Sequence, residues 1–372
     1  MLKILFLIHD LGQGGAEKVL INLVNNMDPN NFDITVMALF GGGVNEQFLK
    51  PEIKYRTVFP RMIRGNSYIM KLFTPQMLHK WFIKEKYDIE ISYLEGPCAR
   101  IISGCNQLNT KLISWIHCTM KSSKDVSNSF RNLREAEVSY NAMDEMIFVS
   151  EEVRKSFLEN CNYKGNTEVL YNTVESEKIT QMSQEESFEI NEDKINLISV
   201  GSLKPVKGYD RLLRIIKKLH EEGYPIHLYL LGMGAQKKEL EKYVEENALM
   251  NVITLLGYKT NPYKYVSKCD LFVCSSRSEG FSTAVTEALI VGTPVCTVNV
   301  SGMQELLGYK NEYGLITEND ETLLYEGIKS LIDNPELLKY YRKQSAIRGD
   351  RFKVKHTVKA VEEMLLKMLG ED

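Results

Sequence analysis

The chain has 372 residues, 44% of them apolar and 26% charged, which is more than one hydrophobic core usually serves and ordinary for a soluble protein of two domains. With 46 Lys plus Arg against 49 Asp plus Glu, the net charge of −3 excludes a whole-chain polycation built for nucleic acid. The seven cysteines (98, 105, 118, 161, 269, 274 and 296) are odd in number and never spaced C-x-x-C, which argues against a disulfide scaffold or a zinc site and for a reducing compartment.

Residues 4–8 form a continuous apolar run broken at once by His9-Asp10. The run is too short for a secretory leader and lacks a small-residue cleavage site, so the chain is expected to stay where it is made. Gly12-Gln13-Gly14-Gly15 follows, then a helical stretch over residues 16–26. Further buried strands are predicted at 34–40, 89–93, 112–116 and 145–149, with helical spacing at 75–84 and 131–142 between them. Apolar strands without alternation are covered on both faces, the mark of a parallel sheet flanked by helices. Residues 175–194 are polar and acid-rich, which places an inter-domain connection there. A second series begins at 195–200 and continues at 227–231, 252–255, 271–274 and 295–298, and residues 354–369 end the chain as an amphipathic helix. No run of about 18 apolar residues occurs, so no bilayer span is expected, and no repeat of 20–50 residues stands out. The predicted architecture is α/β: a doubly wound Rossmann-like domain over residues 1–178, a linker over 179–194 and a second such domain over 195–353. The helix 354–372 is expected to pack back on the first domain. Ligands of such sheets sit outside the carboxyl ends of the strands, so a cleft between facing domains is the expected site.

Four segments could carry chemistry. The glycines of residues 12–17 would let backbone N–H groups approach an anion at a helix N-terminus, though a tight turn needing positive φ explains the same letters. Gly232-Met233-Gly234 follows a strand, but Lys237 stands where a dinucleotide fingerprint needs glycine, so a plain turn is the better reading. In Gly201-Ser202-Leu203-Lys204-Pro205-Val206-Lys207-Gly208, two lysines precede a helix whose dipole prefers anions. A bound diphosphate would reverse that sign; solvated loop lysines are the alternative. The sharpest segment runs from Glu279 to Leu289. Ser282 or Thr283 is a good N-cap, the helix should run to about Val291, and Gly292 and Pro294 stop it. Glu279 then lies in the loop above the sheet and Glu287 about one turn into the helix. The two carboxylates could accept from sugar or ribose hydroxyls, while amides of Phe281 to Thr283 donate to phosphate; an ordinary capped helix is the alternative. His117, after the strand 112–116, is a candidate at a strand end.

In this order the motifs resemble the retaining glycosyltransferases of family 4, with their GT-B fold of two Rossmann-like domains. Gly14-Gly15-Ala16-Glu17 looks like the early GGxE loop, and His117 matches the histidine after an inner strand. Val149-Ser150-Glu151 and Asn172-Thr173-Val174-Glu175 are similar to stretches before the linker. Glu279 to Glu287 fits the E-x7-E signature, and Gly302 to Leu306 resembles the stretch after it. The resemblance implies transfer of a sugar from a nucleotide diphosphate sugar, a UDP-sugar, to a saccharide or lipid-linked acceptor, with the anomeric configuration kept. It implies that Lys207 neutralises the diphosphate, and that Gly280, Phe281, Ser282 and Thr283 bind phosphate or sugar. Glu287 would hold the ribose hydroxyls and Tyr258 would touch the base. Gly14 and Gly15 would close over the phosphates, and His117 and Glu279 would act at the transferred sugar. Family members carry an arginine where Ser202 stands; Ser202 remains a donor-side position, with Lys204 substituting as a point charge. No metal and no cofactor are implied, since basic side chains and a helix dipole meet the phosphate charge.

Between Lys54 and Lys86, eight Lys or Arg (54, 56, 61, 64, 71, 80, 84 and 86) interleave with Tyr55, Phe59, Tyr68, Phe73, Trp81 and Phe82, with Glu85 the one acid. Such a surface suits anionic lipid headgroups, and a solvated face with core aromatics explains it equally. The expectation is a cytoplasmic enzyme of cell-surface polysaccharide or glycolipid assembly, peripheral on the inner membrane face, with no nucleic-acid partner. The rivals are a nucleotide-sugar epimerase and a non-catalytic transferase-like partner subunit, the latter favoured by Ser202.

Overall fold

The computed structural model describes residues 1–12, 14–62, 65–186 and 190–370. Gln13 and Arg64, and residues 187–189 of the predicted linker, lie outside the described residues. The chain divides into two compact units: Met1–Thr173 with Lys355–Asp372, and Val174–Val354.

The first unit holds β1 (Leu2–Ile8), β2 (Phe32–Phe40), β3 (Lys54–Phe59), β4 (Ile89–Ser92), β5 (Lys111–Ile116), β6 (Glu145–Phe148) and β7 (Asn166–Val169). They form one sheet in the order β3-β2-β1-β4-β5-β6-β7, every pairing parallel. Register sets Ile4 between Ile34 and Ile89, and Ile4 to Ile8 have no exposed surface at all, because helices cover both faces of a parallel sheet. The helix Val354–Met368 buries Val358, Val361, Met364 and Leu365. Its Glu362 carboxylate accepts from the Asp28 amide at 2.6 Å, just before β2.

The second unit holds β8 (Ile195–Val200), β9 (Ile226–Leu231), β10 (Ile253–Gly257), β11 (Leu271–Cys274), β12 (Val295–Val298) and β13 (Leu315–Thr317). Their order is β10-β9-β8-β11-β12-β13, again all parallel.

The polar stretch read as a connection is in part a built element of the second unit. Ser176–Ser183 is a helix that buries Ile179. Asn261 Nδ2 donates to the carbonyl of Met182 at 2.9 Å and to the Glu185 carboxylate at 2.8 Å, and Ser267 Oγ donates to the Ser183 carbonyl at 3.2 Å. One apolar side chain and polar anchoring suffice to dock so short a helix, which is why low apolar content reads as linker. Three strands absent from the sequence reading, β3, β7 and β13, are all sheet edges.

Candidate functional site

In a doubly wound sheet the chain leaves in opposite directions at one point, and the loops at the carboxyl ends there part to form a crevice. The strand orders put that point between β8 and β11 in the second unit, and between β1 and β4 in the first.

At the β8/β11 point two loops are knitted together. After β8, Pro205–Lys207 forms one 3-10 turn ending at Gly208. Gly208 has φ +67°, and a Cβ there would overlap the Ser275 carbonyl oxygen, so this close approach requires glycine. The Ser275 hydroxyl donates to the Lys207 carbonyl at 3.0 Å, and the Arg277 amide donates to the Val206 carbonyl at 2.7 Å. From the next helix, Tyr209–Glu221, buried Arg211 donates to the carbonyls of Ser275 and Ser276, both at 2.9 Å. The Arg277 guanidinium meets Asp210 at 2.7 and 2.8 Å; with help from Arg214 it holds that carboxyl down at about 2.

This scaffold brings Lys207 and Glu279 into contact. Lys207 Nζ lies 2.6 Å from Glu279 Oε1, which also accepts from the Ser276 hydroxyl at 2.5 Å. The helix Thr283–Ile290 begins four residues on, with Ser282 as N-cap accepting from the Val285 amide at 3.4 Å. Phe281 and Ser282 are buried, the Phe281 ring packing 6.2 Å from that of Phe352. Gly280 and Phe281 also lie against Gly302, which starts the short helix Met303–Leu307. Glu287 sits just past the first turn of its helix, 7% exposed, and accepts from the Tyr263 hydroxyl at 3.4 Å. Ser202 is half-buried beside an exposed Lys204, whose amide donates back to the Ser202 carbonyl at 2.8 Å. Tyr258 is half exposed just past β10, the sheet edge.

In the first unit, Gly14 caps the helix Gly15–Asn26 with extended φ of −76°. Neither Gly12 nor Gly14 has positive φ, so the tight-turn reading of these glycines does not hold for them. The Asp10 carboxylate bonds His9 Nδ1 at 2.7 Å and the Gly12 amide at 2.7 Å, and the imidazole contact, above all, lowers its pKa. His117 follows β5 and is 8% exposed. Its amide donates to the Glu95 carboxylate at 2.9 Å, and its ring lies 4.8 Å from that of Tyr93. Burial pushes the imidazole down to about 3, and Nε2 has no hydrogen-bond partner among the described residues. A neutral ring with an unmet buried nitrogen is a hydrogen-bonding group suited to a ligand, not a proton donor.

Of the basic and aromatic segment, Lys54 is paired with Asp33 at 2.6 Å and Arg56 with Glu85 at 2.7 Å. Phe59 stacks on Phe40, and Phe73 meets Trp81 edge-on. Met62, Tyr68, Ile69 and Leu72 are exposed.

Sequence reasoning missed the residues that hold the site together: Arg211, Asp210, Arg277, Tyr263, Asp10 and Glu95. Only Arg211 left a signal, a cation on the buried face of an amphipathic helix.

Residues 181–348 match the family model "Glycosyl transferases group 1", and residues 13–178 match "Glycosyltransferase Family 4". The chain is 28% identical, over the whole of both sequences, to the N-acetylgalactosamine-N,N'-diacetylbacillosaminyl-diphospho-undecaprenol 4-alpha-N-acetylgalactosaminyltransferase of Campylobacter jejuni. Among solved structures it resembles sucrose-phosphate synthase from Thermosynechococcus elongatus, with a TM-score of 0.79 at 15% identity over 100% of both chains. It also resembles HepE from Anabaena, solved with UDP and glucose, with a TM-score of 0.77 at 19% identity over 99% of this chain and 100% of that one. With its two halves matched in turn and two parallel Rossmann-like sheets, the chain belongs to the glycosyltransferases of the GT-B fold.

Proposed function

We propose that the protein is a retaining glycosyltransferase that moves a sugar from a UDP-sugar to a saccharide or lipid-linked acceptor, without a metal or other cofactor. The observation that carries this reading is the Lys207–Glu279 pair at the β8/β11 switch point. A cation and a carboxylate there match the two ends of a diphosphate sugar. On donor binding Lys207 turns to the diphosphate, a charge-assisted contact of about 1.5–3 kcal/mol. Glu279, still fixed by Ser276, then accepts from hydroxyls of the transferred sugar. Amides from Gly280 to Thr283 supply further phosphate donors at the helix start, Glu287 takes the ribose hydroxyls, and Tyr258 meets the base. Ser202 and Lys204 border the phosphates. Within the first unit, Gly14 and Gly15 at the helix start suit a phosphate, and the neutral imidazole of His117 suits a sugar hydroxyl.

In the reaction the bond from the anomeric carbon to the diphosphate oxygen breaks as the acceptor oxygen bonds to that carbon on the same face. The acceptor's proton passes to the leaving diphosphate, whose negative charge Lys207 stabilises. The Campylobacter relative is named for an acceptor on diphospho-undecaprenol and HepE was solved with UDP, which supports a lipid-linked acceptor and a uridine donor. Incubation with a panel of nucleotide sugars, and assignment of the product's anomeric configuration by NMR, tests the proposal. An inverted product refutes retention, and a free epimeric nucleotide sugar as sole product refutes transfer.

The lipid-linked acceptor goes with a peripheral membrane position. No described helix is long and apolar enough to cross a bilayer. Arg100 donates to the carbonyls of Met70 and Phe73, and Arg131 to those of Lys71 and Leu72. The segment that exposes Tyr68, Ile69 and Leu72 is thereby anchored, and Arg61, Lys71 and Lys80 lie within or near it in the sequence. Each cation near an anionic surface adds about 1 kcal/mol. Co-sedimentation with phosphatidylserine vesicles but not with phosphatidylcholine vesicles is expected; equal pelleting with both counts against the surface.

A further inference from the structure

Away from these residues, the first unit gathers three unlike donor groups that the sequence does not associate. His79 lies in the last turn of the helix Pro75–Phe82, Glu90 is the second residue of β4, and Cys105 follows the helix Pro97–Ile102. Their ligand atoms (imidazole nitrogen, carboxylate oxygen and thiol sulfur) all lie within 4.8 Å of one another. His79 Nε2 is 2.7 Å from Glu90 Oε2. Glu90 has no exposed surface, yet its other oxygen, Oε1, is buried without a hydrogen-bond partner among the described residues.

We propose that His79, Glu90 and Cys105 form a structural site for a divalent, borderline-soft cation, with Zn²⁺ the best fit. One nitrogen, one oxygen and one sulfur donor are the ligand types that zinc accepts together, and a tetrahedral site places them about 3.3–3.6 Å apart. Drawing these groups to that spacing asks for shifts on the order of an ångström. Imidazole, carboxylate and thiolate around Zn²⁺ carry no net charge, which suits a buried position. The metal also gives Glu90 Oε1, otherwise a costly orphan, a way to be satisfied. Water takes the fourth position from the side of Cys105, the one half-exposed ligand.

The backbone is shaped for this juxtaposition. A Cβ on Gly104 would overlap the Pro75 carbonyl, so glycine lets the chain leaving Pro97–Ile102 press against the start of Pro75–Phe82 and deliver Cys105. The cluster lies toward the amino end of β4, whereas the donor-side groups follow the carboxyl ends of their strands. The ion therefore ties two helices to the sheet and takes no part in transfer.

The test uses the full chain, stripped with chelator and then given one equivalent of Co²⁺ or Zn²⁺. Co²⁺ should produce the sulfur-to-metal charge-transfer band and intense visible absorption of a tetrahedral thiolate complex. Zn²⁺ should slow alkylation of Cys105 and leave exposed Cys118 unchanged as an internal reference. Cys105→Ser should abolish the charge-transfer band and lower Zn²⁺ affinity by more than the roughly 10–100-fold that outer-shell changes cost. His79→Gln should lower the affinity by a similar factor while Cys105 remains the source of any residual band. Cys105→Ser should keep the parent's tryptophan emission, since Trp81 and Trp115 both lie in the first unit, which confirms that the variant is folded. Absence of the band in the parent protein, its persistence in Cys105→Ser, or equal protection of Cys105 and Cys118 overturns the proposal.

Discussion

The buried imidazole of His117 makes acid the most informative perturbation of the first unit. Its folded-state pKa is held down at about 3 by burial, against about 6.5 in the unfolded chain. A depressed histidine costs the folded state nothing while both states are neutral, above pH 6.5. Below that the unfolded chain takes up a proton that the folded one refuses, so stability falls by about 1.4 kcal/mol per pH unit until the folded pKa is reached. From pH 7 to pH 5 the loss assignable to this one ring is about 2 kcal/mol. Both tryptophans of the chain, Trp81 and Trp115, lie in the first unit, and Trp115 stacks 6.2 Å from His117 itself. Urea unfolding followed by tryptophan emission at pH 7, 6 and 5 therefore reports on the relevant unit. His117→Gln removes the titration, so the parent should lose about 2 kcal/mol more than the variant over that range. Identical pH dependence in the two proteins, or an imidazole NMR signal that titrates near pH 6.5, refutes the reasoning.

Three further outcomes follow from the second unit. Gly208→Ala forces a Cβ into the Ser275 carbonyl at a positive φ, which should cost about 1–3 kcal/mol in urea unfolding and weaken nucleotide binding by parting the two loops. Arg211→Met leaves the Ser275 and Ser276 carbonyls without their donor, and a loss of about 3 kcal/mol is expected; unchanged stability would mean that the clamp is idle. Glu287→Ala should raise the dissociation constant for free UDP about 10–100-fold by calorimetry, and unaltered binding would remove the ribose assignment.

The buried centre of each sheet is legible because β1, β5, β8, β11 and β12, covered on both faces, are written largely in apolar letters, and β4 shows through Ile89 and Ile91. The edges are not. β3, LysTyrArgThrValPhe at residues 54–59, has one exposed flank and alternates only loosely, so its cations read as a surface patch. β7 and β13 are short and half-buried, and no periodicity survives in three or four residues. At the site, the residues proposed to face a ligand announce themselves by type and place: Lys207 before a helix, Glu279 after a strand, His117 at a strand end. Residues that hold those groups do so through backbone carbonyls, and any arginine can reach a carbonyl from a distant position. Arg277 is therefore visible only once the loops are folded, and Arg211 shows beforehand only as a cation on the apolar face of its helix. The His79–Glu90–Cys105 cluster is hidden for the same reason, since its spacing matches no local ligand motif and the topology alone assembles it.

The central claim, that the β8/β11 switch point holds a nucleotide diphosphate through Lys207, is tested most directly by calorimetric titration of UDP into Lys207→Ala and Lys237→Ala. Lys237 is an exposed cation on the same unit, paired with Glu241 at 3.5 Å. The account predicts that Lys207→Ala weakens UDP about 10–100-fold while Lys237→Ala leaves it within about twofold of the parent. Equal dissociation constants for the two variants would contradict it.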